Sequence, residues 1–412
     1  MNHSLYFHIP FCTHRCAYCD FNTYAGQEKS ISDYVDALCK EIKFISRNSR
    51  EKITIHTVFF GGGTPSLLLP AHFAAIFKTI KDHFELSDST EITMEANPGT
   101  ISLENLRQYR ALGINRISLG VQSANGEELR MLERAHNYFD VIEGVTSARK
   151  AGFDNLNLDL IYGLPEQTLQ TWQSTVRRIL ELRPEHISAY ALTLEHGTPF
   201  GKWTARGLLP NPDPDRAADM YEWASDVFES EGYFQYEISN WATENHQCQH
   251  NLQYWRALPY LGLGAGAHGY TLGYRYSNVL RIRTYIDRWM DYRETDDEQY
   301  ISDPSARPPG TKIVFPLTTA TVNSHRQTPK DDMSEFMITG LRLTREGITL
   351  GTFYQRFGVK LRDIYGNEIE ELMDLGLLEK INKTSEALIT SEVLRLTPRG
   401  RLLGNQVFFR FV

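Results

Sequence analysis

From its first residues to about Ser239 the chain alternates apolar, β-branched runs with helical patterns. Residues 4–10, 53–60, 91–97, 115–121, 155–162, 186–193 and 233–238 read as strands. Residues near 31–47, 70–84, 102–112, 138–151, 168–182 and 215–231 carry apolar side chains at three- and four-residue spacing and read as helices. Such alternation means βα units, because parallel strands need a crossover long enough to hold a helix. The rhythm predicts an α/β fold, a partial (β/α)6 barrel spanning 1–240, with chemistry gathered at the C-terminal ends of its strands.

The residues just after each strand bear this out within the sequence. Cys12, Cys16 and Cys19 follow the first, Gly61-Gly62-Gly63-Thr64-Pro65 the second, Glu95-Ala96-Asn97-Pro98 the third and Gln122-Ser123 the fourth. The fifth carries Asp159 and ends in Tyr162-Gly163-Leu164-Pro165. Beyond the barrel, 241–332 reads as an extension that holds His250-Asn251-Leu252-Gln253-Tyr254-Trp255. Its end, 294–332, reads as a linker or insertion, with five prolines between Pro304 and Pro329. Residues 333–412 read as a small, mainly helical C-terminal domain of winged-helix kind, opened by an amphipathic helix at 333–343.

Charge narrows the partners. With a formal net charge of -8 there is no general basic field for nucleic acid. Residues 257–274 are uncharged, but glycines, a proline and a histidine dilute them below transmembrane hydrophobicity, so they read as a buried Gly-rich segment. The opening MNHSLYFHIPF has no export or transit pattern, which makes the cytoplasm the expected compartment. An acidic average is compatible with peripheral attachment to a membrane through a local patch.

Three of the five cysteines fall within eight residues, while Cys39 and Cys248 stand alone, so this is no secreted disulfide framework. Cys12-x3-Cys16-x2-Cys19 sets three thiolates on one short loop, as a cubane iron-sulfur cluster with one open iron requires. Zinc is the alternative, with His8, His14 or a distant residue as the fourth ligand. Three unligated cysteines are the bland reading. Cys39, on the first helix, reads as core.

The stretch from Tyr6 to Phe21, YFHIPFCTHRCAYCDF, resembles the opening of a radical S-adenosylmethionine (SAM) protein. In that superfamily SAM chelates the open iron of a 4Fe-4S cluster, and an electron from the cluster cleaves it to methionine and a 5'-deoxyadenosyl radical. The resemblance implies that Cys12, Cys16 and Cys19 hold the cluster and that Gly62, Gly63, Thr64, Glu95, Gln122, Arg134 and Asp159 meet SAM, with Tyr6 and Tyr18 beside them. Independently, Asp159 sits in an apolar run, so its carboxylate needs a donor, for which a ribose hydroxyl is suitable. Arg134 offers a planar fork that suits a carboxylate.

The similarity is to the coproporphyrinogen oxidase-like branch and runs over nearly the whole chain, through Asn157 to Pro165 and Leu396-Thr397-Pro398-Arg399-Gly400-Arg401. The branch holds oxygen-independent oxidases, which turn two propionates of coproporphyrinogen III into vinyls, and heme chaperones, which carry heme to acceptor proteins. Three features favour the carriers. Oxidases have a further cysteine where this chain has Phe21; they have a longer segment before the first strand; and His250-Asn251-Leu252-Gln253-Tyr254-Trp255 matches an HNxxYW motif of the carriers. By that resemblance His250, Tyr254 and Trp255 meet heme or a substrate. Cys248, two residues before His250, is an alternative ligand by its chemistry, and His246 and His268 are weaker candidates. Implied partners are heme and heme-accepting proteins, among them membrane respiratory proteins, and a flavodoxin- or ferredoxin-like electron donor if SAM is cleaved. A radical SAM methyltransferase or cyclopropane-forming enzyme on this scaffold stays open as a rival.

Overall fold

The computed structural model describes residues 2–292, 314–384 and 390–412. The chain divides into two compact units, Met1–Ala224 with Pro259–His325, and Ser225–Leu258 with Arg326–Val412.

In the first unit six strands run parallel: β1 (Asn2–Ile9), β2 (Thr54–Gly62), β3 (Glu85–Ala96), β4 (Arg116–Gln122), β5 (Leu156–Tyr162) and β6 (His186–Ala191). The crossovers are helices α1 (Ile31–Asn48), α2 (Pro70–His83), α3 (Leu103–Leu112), α4 (Tyr138–Lys150) and α5 (Leu169–Glu181). On the outer edge of β1 lie β7 (Tyr260–Leu263), parallel to it, and an antiparallel hairpin of β8 (His268–Thr271) and β9 (Tyr274–Asn278). The order is β9-β8-β7-β1-β2-β3-β4-β5-β6.

Local chemistry explains the boundaries. Asn137 and Asp140 form a reciprocal cap at the start of α4, Ser102 caps α3, and Gly113 ends α3 in the left-handed region at φ 119°. Helix α1 buries Ile31, Tyr34, Val35, Leu38, Ile42 and Ile45 at helical spacing. Strand β5 is buried on both faces except at Asp159, as a parallel strand covered by helices should be.

Helix α1 also carries a fully buried carboxylate. Glu41 accepts hydrogen bonds from Gly264 N (2.8 Å), Tyr285 Oη (2.5 Å), Asn278 Nδ2 (2.9 Å) and Thr318 Oγ1 (3.3 Å). Beside it, Tyr34 Oη donates to His8 O (2.8 Å) and accepts from Ala265 N (2.7 Å). The two side chains fasten the Gly-rich turn after β7 to α1.

In the second unit a hairpin of Phe234–Glu237 and Asn240–Ala242 precedes the short helix α6 (Gln249–Trp255). Then come α7 (Pro329–Gly340), β10 (Ile348–Thr349), α8 (Leu350–Phe357), α9 (Leu361–Asp374), β11 (Leu378–Thr384) and β12 (Thr390–Leu396). The strands form an antiparallel sheet in the order β10-β12-β11. Phe336, Met337, Leu341, Phe353, Leu372, Leu394 and Leu396, from helices and strands alike, share the core of this unit.

Every expected strand and helix is present, with shifted ends. Strand β3 begins at Glu85 rather than at 91, because Glu85 and Leu86 pair with Thr54 and Ile55. The segment 257–274 is largely buried as expected, yet it holds β7 and β8. The helix expected at 333–343 starts at Pro329, where Thr328 and Asp331 cap each other across a proline at the first helical position. Of the linker at 294–332, residues up to 313 lie outside the described ones; the remainder contains the strand Thr321–Arg326. Among the described residues no helix is long and apolar enough to cross a membrane.

Candidate functional site

Cys12, Cys16 and Cys19 are free and partly exposed on the loop that follows β1. A two-residue parallel ladder, Phe11-Cys12 with Tyr24-Ala25, closes the loop, and Tyr24 N donates to Pro10 O at 2.8 Å. Within it Cys19 N donates to Cys16 O (3.1 Å), turning the chain between the second and third thiols. Each sulfur meets a polar neighbour: Thr64 Oγ1 donates to Cys12 Sγ (3.5 Å), Arg134 Nη1 to Cys16 Sγ (3.6 Å), and Thr23 Oγ1 lies 3.8 Å from Cys19 Sγ. Burial pushes the Cys12 thiol up; the Thr64 hydroxyl opposes this, and Cys19 and Cys16 add to it.

The glycines after β2 carry the backbone onto this loop. A Cβ on Gly63 would sit 2.6 Å from Phe11 O and 2.7 Å from Ile9 O, and one on Gly62, at φ +109°, would sit 2.4 Å from the His8 ring. Gly63 N and Thr64 N donate to those same two carbonyls. Three thiols on a stapled loop, with donors on the sulfurs and a glycine wall behind, fit a cubane cluster with one open iron. The nearby histidines that zinc would need as a fourth ligand are engaged: His8 accepts from Tyr6 Oη (3.0 Å) and donates to Asn22 O (3.0 Å), and His14 pairs with Glu133 at 3.4 Å.

Over the last five residues of β1 to β5 the positions that are only partly buried are Tyr6, Phe59, Gly62, Glu95, Gly120, Gln122 and Asp159. Register aligns them, with Tyr6 opposite Phe59, Glu95 opposite Ser118 and Gly120 opposite Asp159. Glu95 Oε2 accepts from Gly62 N at 3.0 Å. Burial, and then the charge of Asp159, push the Glu95 carboxyl up to about 8 against the pull of the Gly62 N–H and Arg116. Such a carboxyl keeps its proton until a cation comes near.

Asp159 accepts from Ser118 Oγ and Asn157 Nδ2, both at 2.8 Å. The donors that its apolar run demanded are therefore protein groups, and burial alone makes no case for a ribose. Gln122 adopts φ +68° at a register shift in β4, which turns its side chain back over Gly120. A Cβ there would lie 3.0 Å from Gln122 Nε2, 3.2 Å from Asn97 Oδ1 and 3.3 Å from Arg134 Nη2, so three side chains converge at this strand end.

Arg134 is the hub. Its Nη2 donates to Asn97 Oδ1 (2.5 Å) and Gly120 O (2.6 Å), and its Nη1 to Cys16 Sγ and Tyr18 Oη (3.5 Å). Its fork is thus engaged by protein acceptors, while Nε is buried with no partner among the described residues. Asn97 Nδ2 in turn donates to Thr64 Oγ1 (2.9 Å), which completes a path from Arg134 through Asn97 and Thr64 to Cys12. Asn97 stood at a strand end in plain view, but asparagine before proline reads first as turn chemistry.

His250, Tyr254 and Trp255 belong to the second unit. The His250 imidazole is 1% exposed, its Nε2 lies 2.8 Å from Tyr254 Oη, and the rings stand perpendicular at 5.0 Å. Arg342 covers the Trp255 ring at 4.3 Å and pairs with the fully buried Glu237 at 3.1 Å. Cys248 is buried at the start of α6, and His246 Nδ1 lies near Thr243 Oγ1 (3.0 Å) and Glu244 O (2.9 Å). His268, in the first unit, is exposed.

Residues 6–179 match the Radical SAM superfamily and residues 327–403 the HemN C-terminal domain. The heme chaperone HemW of Lactococcus lactis is 34% identical over 409 residues, 99% of this chain and 97% of that protein. That of Bacillus subtilis is 34% identical over 99% of both. Among solved structures, coproporphyrinogen III oxidase (HemN) from Escherichia coli superposes with a TM-score of 0.78 at 23% identity, covering 99% of this chain and 89% of that one, which establishes the shared fold. Given the near full-length identity to these relatives, the chain belongs to the HemW heme chaperone family of radical SAM proteins.

Proposed function

We propose that this chain is a heme chaperone: it holds a 4Fe-4S cluster and SAM, carries heme, and passes heme to acceptor proteins. Its seat is the cytoplasm, and its acceptors include membrane respiratory proteins. Cys12, Cys16 and Cys19 would hold the cluster. Gly62, Gly63, Thr64, Glu95, Gln122, Arg134 and Asp159 would meet SAM, with Tyr6 and Tyr18 lining the site. When bound, cluster and SAM supply reductive cleavage chemistry, with a flavodoxin- or ferredoxin-like protein as electron source.

The observation that carries this reading is the joining of the cysteine loop to the strand ends by Arg134, Asn97 and Thr64. The protein's part is to hold the sulfurs, to keep a protonated carboxyl at Glu95 ready to ionise against an ammonium group, and to give the backbone of Gly62 and Gly63 close approach to a ligand. For heme, the family resemblance offers His250, Tyr254 and Trp255, but the structure buries the His250 imidazole against Tyr254 Oη, so that ring does not present a nitrogen to iron as it stands. Anaerobic reconstitution followed by heme titration, with coproporphyrinogen III turnover assayed on the same preparation, tests the proposal. Stoichiometric heme binding without turnover is expected; vinyl product would make the chain an oxidase instead.

A further inference from the structure

The first unit carries a second gathering of polar and aromatic side chains, on the hairpin β8–β9 and the neighbouring β7. The hairpin turns at Leu272-Gly273, both left-handed at φ 51° and 74°, as its two-residue connection requires. Its register pairs Thr271 with Tyr274, Tyr270 with Arg275 and His268 with Ser277. Paired residues share a face, as do residues two apart, so His268, Tyr270, Arg275 and Ser277 project from one side. His268 and Arg275 are diagonal neighbours, roughly 7–8 Å apart at the backbone.

The guanidinium of Arg275 is held in place. It lies 4.5 Å from the Tyr270 ring centroid and 5.8 Å from that of Tyr260, and its Nη1 donates to Tyr260 Oη at 2.8 Å. His268 is exposed, and partial burial together with the Arg275 charge lowers its pKa, which leaves a neutral imidazole at physiological pH. Strand β8 pairs with β7, whose Tyr260 to Leu263 pair with Ser4 to Phe7, so the hairpin lies one strand away from β1. An accessible neutral imidazole, a fixed guanidinium one diagonal away and tyrosine rings alongside match a flat macrocycle with iron at its centre and carboxylates at its rim. His250 by contrast is almost wholly buried against Tyr254.

We propose that His268 ligates the heme iron and that Arg275, braced by Tyr270 and Tyr260, takes a heme propionate. The inference rests on the reading of the chain as a heme carrier and assigns the cargo to the edge of the barrel.

The test is heme titration of the reconstituted full-length chain, with the axial ligand read by resonance Raman and electron paramagnetic resonance. The proteins compared are the wild type, His268→Ala, His268→Met, Arg275→Gln and His250→Ala. His268→Ala should lose the histidine-ligand signature and bind heme at least about tenfold more weakly, and added imidazole should restore the signature. His268→Met should bind with a thioether signature, which guards against loss of fold as the explanation. Arg275→Gln should weaken heme but not heme dimethyl ester, whose carboxylates are blocked. His250→Ala should keep the wild-type spectrum. A histidine signature that survives His268→Ala and His268→Met, or vanishes in His250→Ala, overturns the assignment. A wild type that binds no heme removes the carrier reading itself, and the assignment with it.

Discussion

Glu41 makes stability depend on pH in a direction opposite to most paired carboxylates. Burial raises its carboxyl to about 7, against four donors, Tyr285, Gly264, Asn278 and Thr318, that pull it down. Since the folded form holds the proton more tightly than the unfolded chain, folding is most favoured below the ordinary value near 4.5. Stability is lost as pH rises from there to about 7, and no further above it. A shift of this size corresponds to about 3 kcal/mol. Glu41→Gln keeps the shape and cannot ionise, so subtracting its stability from that of the wild type at each pH isolates this carboxyl from every other group. Urea unfolding followed by tryptophan fluorescence, from about pH 5 to about pH 8, should show the wild type losing about 3 kcal/mol relative to Glu41→Gln. A difference that stays flat, or that rises with pH, would refute the reasoning.

Three other expectations concern the site and its support. Replacing Cys12, Cys16 and Cys19 together by alanine should abolish the iron-sulfur absorption while leaving the circular dichroism of the chain unchanged, because the thiols sit on a partly exposed loop and not in the core. Gly63→Ala forces a Cβ against two backbone carbonyls that no rotamer change can relieve, so it should cost about 1–3 kcal/mol and abolish SAM binding in equilibrium dialysis. Arg342→Ala leaves Glu237 buried without its cation and should destabilise the second unit by about 3–5 kcal/mol, seen as faster hydrogen exchange in 225–258.

The parallel sheet and its crossovers were readable because their signal is local: apolar runs of strand length, helical spacing, and glycines or cysteines just past each strand. What escaped depends on partners distant in sequence. Strands β7 and β8 are four residues each, rich in glycine and tyrosine, and become strands only by pairing, β7 with β1 and β8 with β7 and β9. Strand β11, LEKINKT, is mostly polar and is defined by its ladder with β12. Arg134 could be picked out by resemblance, but its partner Cys16 lies 118 residues away, so its grip on the thiol was invisible. Asp159 shows the same limit: the apolar run around it demanded a donor, and only the fold names Ser118 and Asn157.

The short ladder that closes the cysteine loop bears on how the site is filled. Phe11-Cys12 and Tyr24-Ala25 are joined by the chain's own backbone hydrogen bonds, so the entropy of closing the loop is settled when the barrel folds. Loading is then a local exchange of thiol protons for metal, unlike a zinc finger, where metal binding and folding are one event. A chain built this way should lose and regain a cluster without unfolding.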